Sequence, residues 1–188
     1  MIVGLLLLGP VHLSTNRAAF GAGEWVCAAD ERVNLRAGPG LDAAVLGQLH
    51  GAEPVRIVAL ATALVDVGGV ADRWYEVSRQ GQAGHAFGAG LSAACGAADL
   101  DDDGEMEWLV VAMDEGGVHV RVHEQAAAVT ARLDLPMPTP KGAVEARLDG
   151  RTLSLSAGGG TWLRAVRYHS AGPGWPGALQ AADAPALR

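Results

Sequence analysis

From Asp99 to Glu107 the chain reads Asp-Leu-Asp-Asp-Asp-Gly-Glu-Met-Glu, six carboxylates in nine residues. Oxygen donors at the first, third and fifth positions, a glycine for the sharp turn and a carboxylate at the ninth suit a hard cation such as calcium, because odd spacing lets one tight loop wrap the ion. The twelfth position, where an EF-hand needs a bidentate Glu, is Val110 within an apolar run, so this is not an EF-hand. The plainer alternative is a solvated acidic turn, which Asp and Gly form readily. The charge distribution bears on the choice. The formal net charge is -7, and Asp99, Asp101, Asp102, Asp103, Glu105, Glu107, Asp114 and Glu115 follow one another without an intervening Lys or Arg. The rest of the chain is close to neutral, so the acidity is local.

Other chemistry-bearing residues are sparse. His119, Arg121 and His123 alternate with Val118, Val120 and Val122, as a strand with one polar face requires. Four residues of strand would hold the two imidazoles roughly 13 Å apart, too far for one metal ion, so the expectation is a polar outer face. His50, His85 and His169 are isolated, and neither a phosphate-binding glycine loop nor a nucleophile elbow is present. Neither cysteine sits between a strand and a helix with a base nearby, which argues against a Cys-His peptidase. No catalytic residue is assigned, and a non-enzymatic protein is expected. An acidic chain without a basic stripe lacks the phosphate contacts that nucleic-acid binding needs.

The elements that must position these residues are short. With 26 Gly and 9 Pro among 188 residues, and no long helical repeat, the pattern favours strands joined by turns and an all-β fold. Val33–Arg36 precedes a Gly38-Pro39-Gly40 reversal. Strands are then expected over Ala44–Leu49, Pro54–Ala59, Trp74–Val77 and Gly84–Phe87, the last two joined through Gln80-Gly81-Gln82. Val65–Val70, centred on Gly68-Gly69, reads as a protruding hairpin. Further strands are expected at Trp108–Met113, Val118–Glu124, Val129–Leu135, Val144–Leu148, Thr152–Ala157 and Trp162–Ser170. Leu135-Pro-Met-Pro-Thr-Pro140 is a stiff connection. These form an antiparallel sheet or small sandwich, and the tail from residue 171 to 188 shows little periodicity.

The segment VNLRAGPG (Val33–Gly40) resembles the bacterial SH3 signature, in which a short strand enters an Arg-x-Gly-Pro turn. VLGQLHGAEPVRIV resembles the strands that follow it, and WYEVSRQGQAGHAFGAGLS resembles that family's closing hairpin. The resemblance implies a small closed barrel over residues 25 to 95, in an exported or envelope-associated protein that recognises cell-wall peptide, peptidoglycan or another extended ligand. Such grooves are aromatic-lined; Trp25, Trp74, Tyr75 and His85 are the candidate ligand-binding residues, with His85 and Gly90 standing where the family often carries bulky aromatics. At least one of Tyr75 and Phe87 is expected in the barrel core instead of the groove, since alternating apolar residues on a barrel strand point inward. Competing roles are structural or assembly contacts, or service as accessory subunit of a cell-wall hydrolase. The acidic loop is similar to that of FG-GAP-type repeats, although it occurs once and a propeller needs several copies. That resemblance implies side-chain ligands at Asp99, Asp101, Asp103 and Glu107, a backbone carbonyl from Glu105, and a calcium-stabilised second β domain over residues 96 to 170.

Cys27 and Cys95 bracket the SH3-like segment. Barrels of that type bring their termini together, so the two thiols can pair in an oxidising compartment; the alternative is two small buried thiols. Met1 to Pro10 is an apolar run of signal-peptide length without the usual basic n-region, followed by small residues up to Ala22. Residues 1–22 therefore read as an export leader, or else as an apolar tail or first strand. The expected location is extracytoplasmic, periplasmic or secreted, with no stable membrane insertion after cleavage.

Overall fold

The computed structural model describes residues 11–13, 19–100, 104, 106–114, 117–123, 131–136, 144–149, 152–157, 162–169 and 178–183. In chain order the strands are β1 (Val11–Leu13), β2 (Trp25–Ala28), β3 (Arg32–Arg36), β4 (Val45–His50), β5 (Pro54–Leu60), β6 (Val65–Val67), β7 (Val70–Asp72), β8 (Trp74–Arg79) and β9 (Gln82–Phe87). A 3₁₀ turn (Gly88–Gly90) leads into β10 (Leu91–Ser92) and β11 (Cys95–Ala98). Then follow β12 (Glu107–Asp114), β13 (Gly117–His123), β14 (Ala131–Leu135), β15 (Val144–Asp149), β16 (Thr152–Ala157), β17 (Trp162–His169) and β18 (Ala178–Asp183). The fold is all-β and its sheets are antiparallel. Among the described residues no helix is long and apolar enough to cross a membrane.

Two compact units divide the chain. One spans Ala18–Ala93; the other joins β1 to the residues from Ala94 onward. In the first, seven strands are ordered β10-β2-β5-β8-β9-β3-β4. Every one of them places residues in a single core, from Val26 and Ala28 through Leu35, Leu49, Val55, Ile57, Tyr75, Val77 and Ala86 to Leu91. Irregularities at Leu35/Arg36 and Ile57/Ala59 bend the strands, as bulges do. The expected closed barrel is not formed. β4 and β10 end the sheet without pairing each other, and β3 meets β9 only at Arg36 and His85, so hydrogen bonding never completes the ring. The expected hairpin at Val65–Val70 is present as the separate ribbon β6–β7. Cys27 lies within β2 and pairs in register with Pro54 and Ser92.

The second unit is built from two antiparallel meanders, β11-β12-β13-β14 and β15-β16-β17-β18, the latter extended by β1. Leu109, Val111, Val118, Val120, Val122 and Leu135 of the first sheet share one core with Ala146, Leu153 and Leu155 of the second. Two inner faces contributing alternate residues to a common core define a sandwich. Two strands lie in the terminal segments. Val11–Leu13, inside the expected leader, pairs with Val144–Ala146, and Ala178–Asp183, inside the expected loose tail, pairs with Arg164–His169. Both are edge strands; β1 has a partner distant in sequence, and β18 is built largely of alanine, so the local pattern carries little sign of either.

Candidate functional site

The four residues expected to contact ligand separate into two environments. β8 buries consecutive residues: Tyr75 (2 % exposed) faces the core, and Trp74 (4 %) faces the other way beneath Phe87, with ring centroids 5.4 Å apart. Register explains this, because Trp74 pairs with Phe87 across the β8–β9 hairpin and side chains at opposed positions share a face. The Tyr75 ring lies 5.1 Å from that of Phe20, and its hydroxyl accepts a hydrogen bond from the Phe20 N–H at 3.3 Å. Neither aromatic is available to line a groove in this structure. Trp25, in contrast, is 52 % exposed.

His85 is half-buried, in register with Glu76 on β8 and Arg36 on β3. Its Nδ1 is buried without a hydrogen-bond partner among the described residues. Arg36, the arginine of the Arg-x-Gly-Pro turn, donates from Nη1 to the carbonyls of Leu41 (2.9 Å) and Ala43 (2.8 Å). Its guanidinium clasps the β3–β4 loop. The 3₁₀ turn is tied to the same unit by the Gly88 N–H, which donates to the Arg73 carbonyl at 2.8 Å.

The acidic segment lies between β11 and β12. Asp101, Asp102, Asp103 and Glu105 fall outside the described residues. The ends of the loop are described: the Gly104 N–H donates to Asp99 Oδ2 at 3.1 Å, and the Leu100 N–H donates to Glu107 Oε2. Gly104 has φ of +88°, the left-handed conformation that the turn requires and glycine adopts without strain. Glu107 is buried (2 %), where a carboxylate needs compensating donors or a cation. Among the described residues no group of three or more His, Cys, Asp or Glu stands ready to hold a metal. The Asp99 and Glu107 carboxylates are hard oxygen donors of the type calcium takes.

Cys27 and Cys95 form a disulfide, and neither thiol is free. On β13, Val118, Val120 and Val122 enter the core and His119, Arg121 and His123 alternate with them, as expected of a strand with one polar face; His119 and Arg121 are half-buried, and His123, in register with Trp108, is fully buried. The sequence also hides a pairing across β13 and β14. His119 Nδ1 lies 2.6 Å from Asp134 Oδ1, and Arg132 Nε donates to both Asp134 oxygens at 3.1 Å. These hydrogen bonds, that to His119 first, hold the Asp134 carboxyl below its ordinary value. The stability it confers is present above the unfolded-state value and is lost as pH falls through the lowered one. Its half-exposed position lets solvent screen the effect.

Fold and site together define an all-β, disulfide-bonded chain with one curled sheet and one two-sheet sandwich. Comparison with protein-family models, with curated proteins and with solved structures returns no match.

Proposed function

We propose that this chain is an exported, non-enzymatic recognition protein. Its SH3-like unit binds cell-wall peptide, peptidoglycan or another envelope ligand, and calcium stabilises its second β domain. The observation that carries the reading is that the residues resembling the bacterial SH3 signature and closing hairpin are gathered into one sheet around one core, with the motif arginine clasping the loop it precedes. The buried disulfide accords with an oxidising compartment. Removal of a leader ending near Ala22 would take β1 with it and leave β15 as the edge of its sheet. A structural or assembly role is favoured over recognition by one finding, the burial of Trp74 and Tyr75, which withdraws two of the expected groove aromatics.

Sedimentation of the full chain with purified peptidoglycan sacculi decides between them. Retention above an unrelated acidic protein is the expected result, and a chain left entirely in the supernatant would place the structural role ahead. The calcium reading has its own test in thermal unfolding. Saturating calcium should raise the midpoint by on the order of 10 °C relative to chelator, since a ligand at a hundredfold its Kd stabilises by about 2.7 kcal/mol. Asp101→Ala should abolish the rise. No shift at millimolar calcium would reduce the segment to a solvated turn.

A further inference from the structure

We propose that the outward face of β2, β5 and β8 is a binding surface for acidic, carboxylate-bearing oligosaccharides, built on Trp25 and Arg56. This rests on the recognition reading above and names the ligand class. Val26, Val55, Ile57 and Val77 point into the core, so strand alternation turns Trp25, Arg56 and Ser78 outward. They stand in one row: Trp25 opposes Arg56, Arg56 opposes Ser78, and Ser78 opposes Ala83 on β9. Three interstrand spacings give that row a length of roughly 14 Å, enough for two or more sugar rings. Trp25 is 52 % exposed, an unusual setting for a large indole. Arg56 is exposed, and its guanidinium has no hydrogen bond or ion pair with any described residue. Its Nη2 approaches Gly23, two residues from Trp25, which sets cation and indole at the same end of the row.

The chemistry of the row selects the occupant. An indole face packs against the apolar C–H face of a pyranose, a guanidinium takes a carboxylate through two parallel N–H bonds, and a serine hydroxyl can exchange hydrogen bonds with a sugar hydroxyl. An extended peptide fits poorly. β5 and β8, at the centre of the row, are each paired on both sides, so neither offers a free backbone edge to add a strand. The small side chains of Ser78 and Ala83 form no alternating pockets for a peptide's side chains.

Calorimetric titration of the full chain with a galacturonic acid hexamer tests the proposal, with cellohexaose and hexaglutamate as comparators. The acidic hexamer should bind, cellohexaose should bind at least tenfold more weakly, and Trp25→Ala and Arg56→Gln should each weaken the acidic hexamer at least tenfold. Both substitutions are at exposed positions, so unfolding midpoints should stay within about 2 °C of the parent. Absence of binding to the acidic hexamer, equal binding of cellohexaose, or equal binding of hexaglutamate would each overturn the proposal. Retention on sacculi alongside any of those outcomes would overturn this ligand class alone and leave the recognition reading standing.

Discussion

Replacing both cysteines, as Cys27→Ala with Cys95→Ala, lowers the unfolding free energy by about 4 kcal/mol, the value expected for a closed loop of this size from unfolded-chain entropy. The bond joins β2 to β11, and strands β3 to β10 lie between the two in sequence. The cross-link therefore restricts most of the seven-stranded sheet in the unfolded state. Cys27 is fully buried and Cys95 nearly so, which makes the bond inaccessible to reductant until the protein opens. Two measurements check this. Urea unfolding with and without dithiothreitol should show a lower midpoint for the reduced protein, matched by the double variant. Reduction in native buffer should be slow and should accelerate in urea below the unfolding transition. Coincident midpoints would mean that the cross-link adds nothing to stability. Chain made in a reducing compartment should have the lower stability of the variant, which links this term to the proposed export.

Local pattern carried much of the fold. The β8–β9 hairpin was legible because Gln80-Gly81-Gln82 interrupts two apolar runs, and the observed register pairs Trp74 with Phe87 and Arg79 with Gln82 around that turn. Strands β12 to β17 fall where alternation places them, to within a few residues. What alternation could not show is whether a strand is covered on both faces. Tyr75 enters the core while its neighbour Trp74 is covered by Phe87, so two adjacent aromatics that residue type alone assigns to a groove are both buried. His123 is a second instance, a polar residue on an alternating strand that ends fully buried. β1 and β18 depend on partners more than a hundred residues away or on weakly apolar alanines, and closure of the barrel depends on strand ends meeting in space. No local spacing encodes those. Arg56 was legible in principle, since Pro54-Val55-Arg56-Ile57 alternates with Arg56 outward. Its placement opposite Trp25 required the β2–β5 register.

Gly117→Ala should destabilise the second unit by about 3–5 kcal/mol, combining backbone strain with a clash that neither strand can relieve cheaply. Gly117 opens β13, opposite Asp114 at the end of the β12–β13 hairpin, and has φ of +146°. A Cβ there would stand 2.2 Å from the Leu135 carbonyl oxygen and 3.3 Å from Pro136 Cα. The obstacle is backbone. Leu135 is fixed by its pairing with Val118 and by burial of its own side chain, and Pro136 restricts the conformations that could carry its carbonyl away. Gly69→Ala is the control, because Gly69 also has positive φ (+86°) but nothing within 4 Å of the added carbon. It should cost only the conformational term, about 1–2 kcal/mol, at the tip of the β6–β7 ribbon. Urea unfolding of the two variants separates the contributions. A Gly117→Ala protein no less stable than Gly69→Ala would show that β14 can yield at Leu135, and that the strand is not pinned against the hairpin turn as the structure places it.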